Sequence, residues 1–273
     1  MIPRSRLGIG SWTFPWAIGV PGYPRPERPL DPAGLLRKAV ELGVGVVQFA
    51  DNLPLLDLPR RDVEALREIA RDSGIAIELG TRGAEPAHLA ACLELCRQLD
   101  VRLLRTLTRP ATSSPDLAQV RDWVKDVLPD FEAAQVALAF ENYERHTAAE
   151  LAGLIESIGS PQVGVCLDMV NSLGALETPR QVVEILAPYV LNLHMKDFEI
   201  SRVPSMMGYV VEGRPVGQGR IPVGWVLEEL ARRGRTPNVI IELWTPFENS
   251  LEQTIAKEQD WARRSVAYLL SSP

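Results

Sequence analysis

Four residues of metal-ligand type each stand at the end of a short apolar run: Glu141 in VALAFEN, Asp168 in VGVCLDM, His194 in YVLNLHMKD and Glu242 in NVIIELW. A charged group rarely stays among apolar neighbours without a counter-charge or a metal. Three carboxylates and one imidazole form an oxygen-rich set that suits one divalent ion, Mn²⁺, Mg²⁺ or Co²⁺, and the histidine also admits Zn²⁺. Ionised, the set sums to about −3, a repulsion that a divalent ion would largely relieve. The alternative is structural: ion-paired carboxylates and one satisfied core histidine. The same placement on four successive runs favours the metal.

Positioning such a set requires strand ends that converge. Short β-branched runs alternate with longer helical patterns along the chain. Strands are expected near 7–11, 45–51, 75–80, 102–107, 136–141, 163–168, 190–195 and 239–244. Between them lie amphipathic stretches such as DPAGLLRKAVELG, RRDVEALREIARDSG and SLEQTIAKEQDWARRSVAYLL. Asp31-Pro32 and Ser114-Pro115 read as helix starts, and Gly43, Gly74 and Gly234 as helix stops. Eight βα units predict an α/β fold, a closed (β/α)8 barrel occupying residues 1–273 as a single domain. In such a barrel the C-terminal strand ends form one mouth, and that mouth holds the active site.

Two connections are longer than a βα loop needs, one after the first strand and one from about Lys196 to Ile221. Both follow strands and are expected over the mouth. The second is read as a lid with glycine hinges that brings Met206, Met207, Tyr209 and Arg214 toward a substrate.

Composition narrows the function. The net charge of −6 and the scattered basic residues argue against nucleic acid and against an anionic membrane surface. Cys92, Cys96 and Cys166 make neither a disulfide framework nor a zinc-finger spacing, which suits a reducing, cytoplasmic setting. No signal core or membrane-length run is present, so a soluble enzyme acting on a small molecule is expected, with a homo-oligomer as a candidate state.

ENYER, CLDMVNS, LHMKDF and IIELW, in this order and spacing, resemble the motifs of the xylose-isomerase-like TIM barrels of the sugar isomerase/epimerase superfamily. The resemblance covers nearly the whole chain. It implies that Glu141, Asp168, His194 and Glu242, on strands five to eight, bind one divalent metal. It also implies that Glu141 and Glu242 move protons on opposite faces of a metal-stabilised enediolate. One position departs from the epimerase pattern. Asn171 stands where those enzymes carry a histidine, and an amide can bind a substrate oxygen but cannot shuttle a proton. The loops also resemble a subgroup close to 3-oxo-isoapionate decarboxylases. Loss of CO₂ from a β-keto acid reaches the same enolate that proton removal does.

Further candidates fill out the mouth. Lys196 shares the strand face of His194 and is a candidate for polarising a carbonyl, or else for a salt bridge to Asp197, Glu199 or a ligand carboxylate. Arg105 is a candidate for a substrate carboxylate, or for pairing with Glu78 inside the barrel. Gln48 and Asn171 offer hydrogen bonds to hydroxyls, Arg214 a cation, and Trp12 a stacking surface for a sugar. The expectation is therefore a metal-dependent isomerase or epimerase of a keto sugar or keto sugar acid, with a decarboxylase on the same site as the alternative. A DNA-repair endonuclease on this fold would need more than three histidines and a basic face. A non-catalytic sugar-binding protein would not need base-type glutamates beside a metal.

Overall fold

The computed structural model describes residues 2–110 and 112–271. The apolar runs form β1 (Leu7–Gly10), β2 (Val46–Phe49), β3 (Ala76–Gly80), β4 (Leu103–Thr106), β5 (Ala137–Glu141), β6 (Val163–Asp168) and β7 (Val190–Met195). They are followed by β8 (Asp197–Arg202), β9 (Tyr209–Arg214) and β10 (Asn238–Ile241). All but β8 and β9 pair in parallel and close a barrel in the order β1-β10-β7-β6-β5-β4-β3-β2. The expected eight-stranded barrel is present, its strands nearly continuous apolar runs because helices cover their outer faces.

Those helices form where the 3.6-residue spacing is clearest. The helix Pro32–Leu42 buries Leu35 and Leu36, Arg60–Ser73 buries Val63 and Leu66, and Leu251–Ser271 buries Trp261 and Val266. Asp31 caps the first of these, accepting from the Gly34 N–H at 2.6 Å with Pro32 next to it. Gly43 and Gly74 close two helices at φ 67° and 66°, a region that suits glycine. The helix Leu117–Ala134 begins later than Ser114-Pro115 suggests. Asp116 caps it, accepting from the Gln119 N–H at 2.8 Å, and an ionised cap also complements the positive helix end.

The pairing of β6 with β7 carries a register shift that matters for the site. Val165 pairs with Val190, but Cys166 pairs with Asn192, so β7 passes over Leu191. Downstream of this bulge Asp168 stands level with His194; without it the partner would be Leu193. Bulges of this kind re-aim side chains beside active sites.

The long connection after β7 is not an irregular loop. β8 and β9 form an antiparallel hairpin with Asp197 opposite Arg214 and Arg202 opposite Tyr209. At its outer end Met206, Met207 and Tyr209 are 65%, 87% and 61% exposed. Neither these three nor Arg214 is among the residues that line the cavity at the barrel mouth, so the expected approach to a substrate is not seen. The base of the hairpin is fixed by Asp197, whose carboxylate accepts from the N–H groups of Phe198, Gly217, Gly219 and Ile221 at 2.9–3.0 Å. Among the described residues no helix is long and apolar enough to cross a membrane.

Candidate metal centre

The last four barrel strands bring the quartet together. Glu141 ends β5, Asp168 ends β6, His194 lies in β7 and Glu242 follows β10. One ligand-type atom from each lies within 4.8 Å of the other three, and all four residues are buried. His194 Nδ1 faces Glu141 Oε1 at 3.4 Å and Glu242 Oε1 at 3.1 Å. Its Nε2 lies 2.8 Å from Gln48 Oε1. Gln48 uses its amide N–H groups on Glu78 and Asn192, so its oxygen is left as the acceptor and His194 Nε2–H is the donor. That arrangement turns Nδ1 toward the carboxylates, as a metal ligand requires.

His194 Nδ1 faces the Glu141 and Glu242 carboxylates, and Asp168 Oδ2 meets the Lys196 ammonium. A buried imidazole nitrogen converging with three carboxylates in this way is a donor set that fits a divalent ion. Asp168 is oriented for the task. Its Oδ1 accepts from the Val170 and Asn171 N–H groups at 2.8 and 2.9 Å, leaving Oδ2 toward the cluster. Asn142 clamps the same turn, accepting from the Asp168 N–H at 2.8 Å and donating to the Asp168 carbonyl at 2.5 Å. Cys166 also approaches Glu141 and His194, but burial pushes its thiol up to about 11, so it stays protonated and binds metal poorly.

Two buried cations press on the quartet. Lys196 Nζ lies 2.7 Å from Asp168 Oδ2 and 2.8 Å from Glu242 Oε2. Burial alone would lower its pKa, but Asp168, Glu242 and Glu141 hold the ammonium above the ordinary lysine range. Arg105 donates to Glu141 Oε2 through Nε and Nη2, and its Nη1 lies 3.5 Å from Asp51. Burial would raise Glu141, but Arg105 and His194 outweigh it and hold the carboxyl well below its usual range. Burial disfavours an imidazolium at His194, yet the Glu242 and Glu141 carboxylates push its pKa well up; metal binding would have to displace that proton.

Above the quartet lies a cavity of ≈ 250 Å³. Its wall carries Arg82, Arg105, Arg109 and Lys196 against Asp51, Glu141, Glu144 and Glu242, with Trp12, Leu107, Leu243 and Trp244 as apolar surface. Arg82 pairs with Asp51 at 3.2 Å.

Of the expected site residues, Glu141, Glu242, Lys196, Arg105, Asn171 and Trp12 all line this cavity. Asn171 bridges two of them, donating to Glu141 Oε1 at 2.7 Å and accepting from Lys196 Nζ at 3.1 Å. Gln48 and Arg214 do not line it. Gln48 is 1% exposed and lies beneath His194, bonded to Glu78 and Asn192 rather than open to a substrate. Arg214 ends β9 and turns to the Gly213 carbonyl and Glu212. Arg105 and Glu78 do not pair. Glu78 accepts from Gln48, Asn192 and Asn238, and burial raises its pKa against those donors. Arg82, Arg109, Tyr143 and Trp244 were not expected, although each follows a strand end by a few residues, where mouth residues belong.

A family profile described as xylose isomerase-like TIM barrel matches residues 36–265. The 3-oxo-isoapionate decarboxylase of Pectobacterium atrosepticum is 35% identical over 96% of this chain and 94% of its own length. D-psicose 3-epimerase from Clostridium cellulolyticum, solved with D-tagatose, superposes with TM-score 0.73 at 19% identity, covering 98% of each chain. A xylose isomerase-like TIM barrel protein from Mycobacterium smegmatis, solved in complex with magnesium, gives TM-score 0.71 at 16% identity, covering 99% of this chain and 100% of its own. At those identities the two solved structures speak for the fold alone.

Proposed function

This chain belongs to the xylose isomerase-like TIM barrel family, and we propose that it is a divalent-metal-dependent lyase that removes CO₂ from a small β-keto sugar acid. The observation that carries this reading is that both candidate bases are already engaged. Arg105 occupies Glu141 Oε2, Asn171 donates to Glu141 Oε1, and Lys196 sits on Glu242 Oε2. A two-base epimerisation needs a free carboxylate on each face of the substrate, and Asn171 offers no proton shuttle in their place.

Decarboxylation has no such need. The bond between the α carbon and the carboxylate breaks, its electron pair flows toward the β-carbonyl to give an enolate, CO₂ leaves and one proton returns to carbon. A divalent ion among Glu141, Asp168, His194 and Glu242 would supply Lewis-acid stabilisation of the charge that develops on the carbonyl oxygen. Arg82, Arg105 and Arg109 give the cavity the cations to draw in an acid. Trp12, Leu107, Leu243 and Trp244 give it a poorly solvating wall, which favours neutral CO₂ over a carboxylate. Lys196 Nζ, lining the same cavity, is the proton donor we assign to the enolate carbon. The 35% identity to a 3-oxo-isoapionate decarboxylase supports the same reaction class.

A metal-dependent isomerase or epimerase of a keto sugar is the second reading, favoured by Glu141 and Glu242 both lining the cavity. Reaction of β-keto sugar acids and neutral keto sugars in D₂O, followed by ¹H NMR with CO₂ measured in parallel, separates the two. Stoichiometric CO₂ and one deuterium in the product support the lyase. Exchange of a C–H in a neutral keto sugar without CO₂ would reject it. On either reading residues 1–273 act as one barrel domain, and three buried free cysteines suit the cytoplasm.

A further inference from the structure

Arginines that draw an acid into a decarboxylating cavity must not grip it too well once it is there. A carboxylate held in a salt bridge is stabilised as the anion, whereas the step has to turn it into neutral CO₂. Binding energy gained only before the transition state slows the reaction. What the guanidinium groups of the wall already hold therefore decides what they offer a substrate.

Two of them hold Asp51, which follows β2 and lines the same cavity. Its Oδ2 lies 3.2 Å from Arg82 Nη2. Its Oδ1 lies 3.5 Å from Arg105 Nη1 and accepts from the Trp12 Nε1–H at 3.3 Å. Trp12 follows β1, Arg82 follows β3 and Arg105 lies in β4, so one carboxylate ties together the mouth ends of four adjacent strands. The rest of Arg105 is committed as well, through Nε and Nη2 to Glu141 and through Nη1 to the Thr81 carbonyl at 3.0 Å. Lys196 is held by Asp168 and Glu242. Among the described residues, Arg109 is the one cavity cation without a carboxylate in ion-pair range, and it is exposed. Without the Asp51 charge, Arg82 would keep no carboxylate partner among the described residues and Arg105 would keep one.

Resting on the lyase reading above, we infer that Asp51 is a positioning residue that occupies Arg82 and Arg105 and so withholds them from the substrate's carboxylate. Recognition of the acid falls to Arg109, and the group that leaves as CO₂ is not locked into further salt bridges. Asp51 thus trades affinity for turnover. It acts through the two arginines and takes no part in bond breaking itself.

Calorimetric titration of wild type, Asp51→Asn and Asp51→Asn/Arg82→Gln in Mg²⁺ buffer tests this with two probes. One is D-gluconate, a sugar acid with no keto group to react, and the other is D-glucitol, its uncharged counterpart. Asp51→Asn should bind gluconate about fivefold more tightly and glucitol within about twofold of wild type, because asparagine keeps the shape and loses only the charge. Adding Arg82→Gln should return gluconate affinity to about the wild-type value. In turnover of a β-keto sugar acid, Asp51→Asn should lower kcat and KM together, each about fivefold, as when the ground state gains a contact that the transition state loses. A merely structural role would raise KM as kcat falls. Should Asp51→Asn not fold, Asp51→Ser removes the same charge and answers the same questions. Gluconate affinity that is unchanged, weaker or absent in Asp51→Asn, or a KM that rises, overturns the inference and leaves the lyase reading to its own test. Tighter gluconate binding by Asp51→Asn, with no CO₂ from any β-keto sugar acid in wild type, supports the hold on the arginines and ends the lyase reading instead.

Discussion

Asp197→Asn looks conservative and is expected to be costly. The two carboxylate oxygens divide four backbone donors: Oδ1 accepts from Phe198 and Ile221, and Oδ2 from Gly217 and Gly219. The side chain is 3% exposed. Asparagine keeps one oxygen and sets an NH₂ against the other pair of N–H groups. Two charge-assisted bonds are lost with two donors left facing a donor, and the surviving two become neutral. At about 1–2 kcal/mol for each orphaned buried donor, the total is ~3 kcal/mol. With an unfolding entropy of about 2.1 cal/mol/K per residue, that lowers Tm by roughly 5 °C in a chain this long. The loop has little room to adapt, because Gly219 approaches so closely that a Cβ there would meet Asp197 Oδ1 at 2.2 Å. Differential scanning calorimetry of Asp197→Asn beside the exposed control Asp72→Asn checks the argument. A Tm for Asp197→Asn within about 1 °C of wild type, as the control should show, would refute it.

Gln48→Leu should weaken Mn²⁺ binding by about 10–100-fold, because His194 loses the acceptor that fixes its tautomer; calorimetric titration measures this. Glu258, buried in the helix Leu251–Ser271, accepts from the Trp16 and Ala17 N–H groups, yet burial pushes it up from 4.5 to about 8. A carboxyl that binds its proton more tightly in the folded chain stabilises fully below about 4.5 and loses that contribution as pH rises through 8. Wild-type Tm should therefore fall between pH 6 and 9 more steeply than that of Glu258→Gln, which thermal scans across that range would detect. Arg109→Ala should raise KM for an acidic substrate by about tenfold with little effect on a neutral one, while Arg214→Ala leaves both unchanged; steady-state kinetics on the two substrate types distinguishes them.

The quartet was legible in the sequence because each member ends an apolar run, where a charge is out of place unless something answers it. The barrel was legible for a related reason: eight such runs alternate with helical patterns. Residues on polar loops were not. Arg82, Arg109 and Tyr143 sit where charge and hydroxyls are ordinary, so only the rule about strand ends could have flagged them. Gln48 shows another limit. Strand alternation tells which face a side chain takes but not its depth along the barrel axis, and Gln48 lies one layer below the cavity. The bulge at Leu191 leaves no mark in composition, although it decides that His194 and not Leu193 stands beside Asp168. The hairpin did leave one. DFEISR and YVVEGR can each pair as a strand, but the intervening VPSMMG and the glycines beyond read as loop once eight barrel strands were assigned.

A polar column runs through the interior of this barrel, beside an apolar cluster of Leu103, Ala139 and Cys166. Glu78, near the floor, accepts from Asn238, Asn192 and Gln48, and Gln48 in turn receives the His194 N–H. The four ligands are consequently not a portable cassette. Grafted alone into a barrel filled with leucine and valine, the histidine would be free to spin and present either nitrogen, and an added glutamine would bring an amide with nothing beneath it to satisfy. Anyone transplanting this centre would have to carry the column down to Glu78 as well. By the same token, drift in the floor residues of this chain is constrained by chemistry performed at the opposite end.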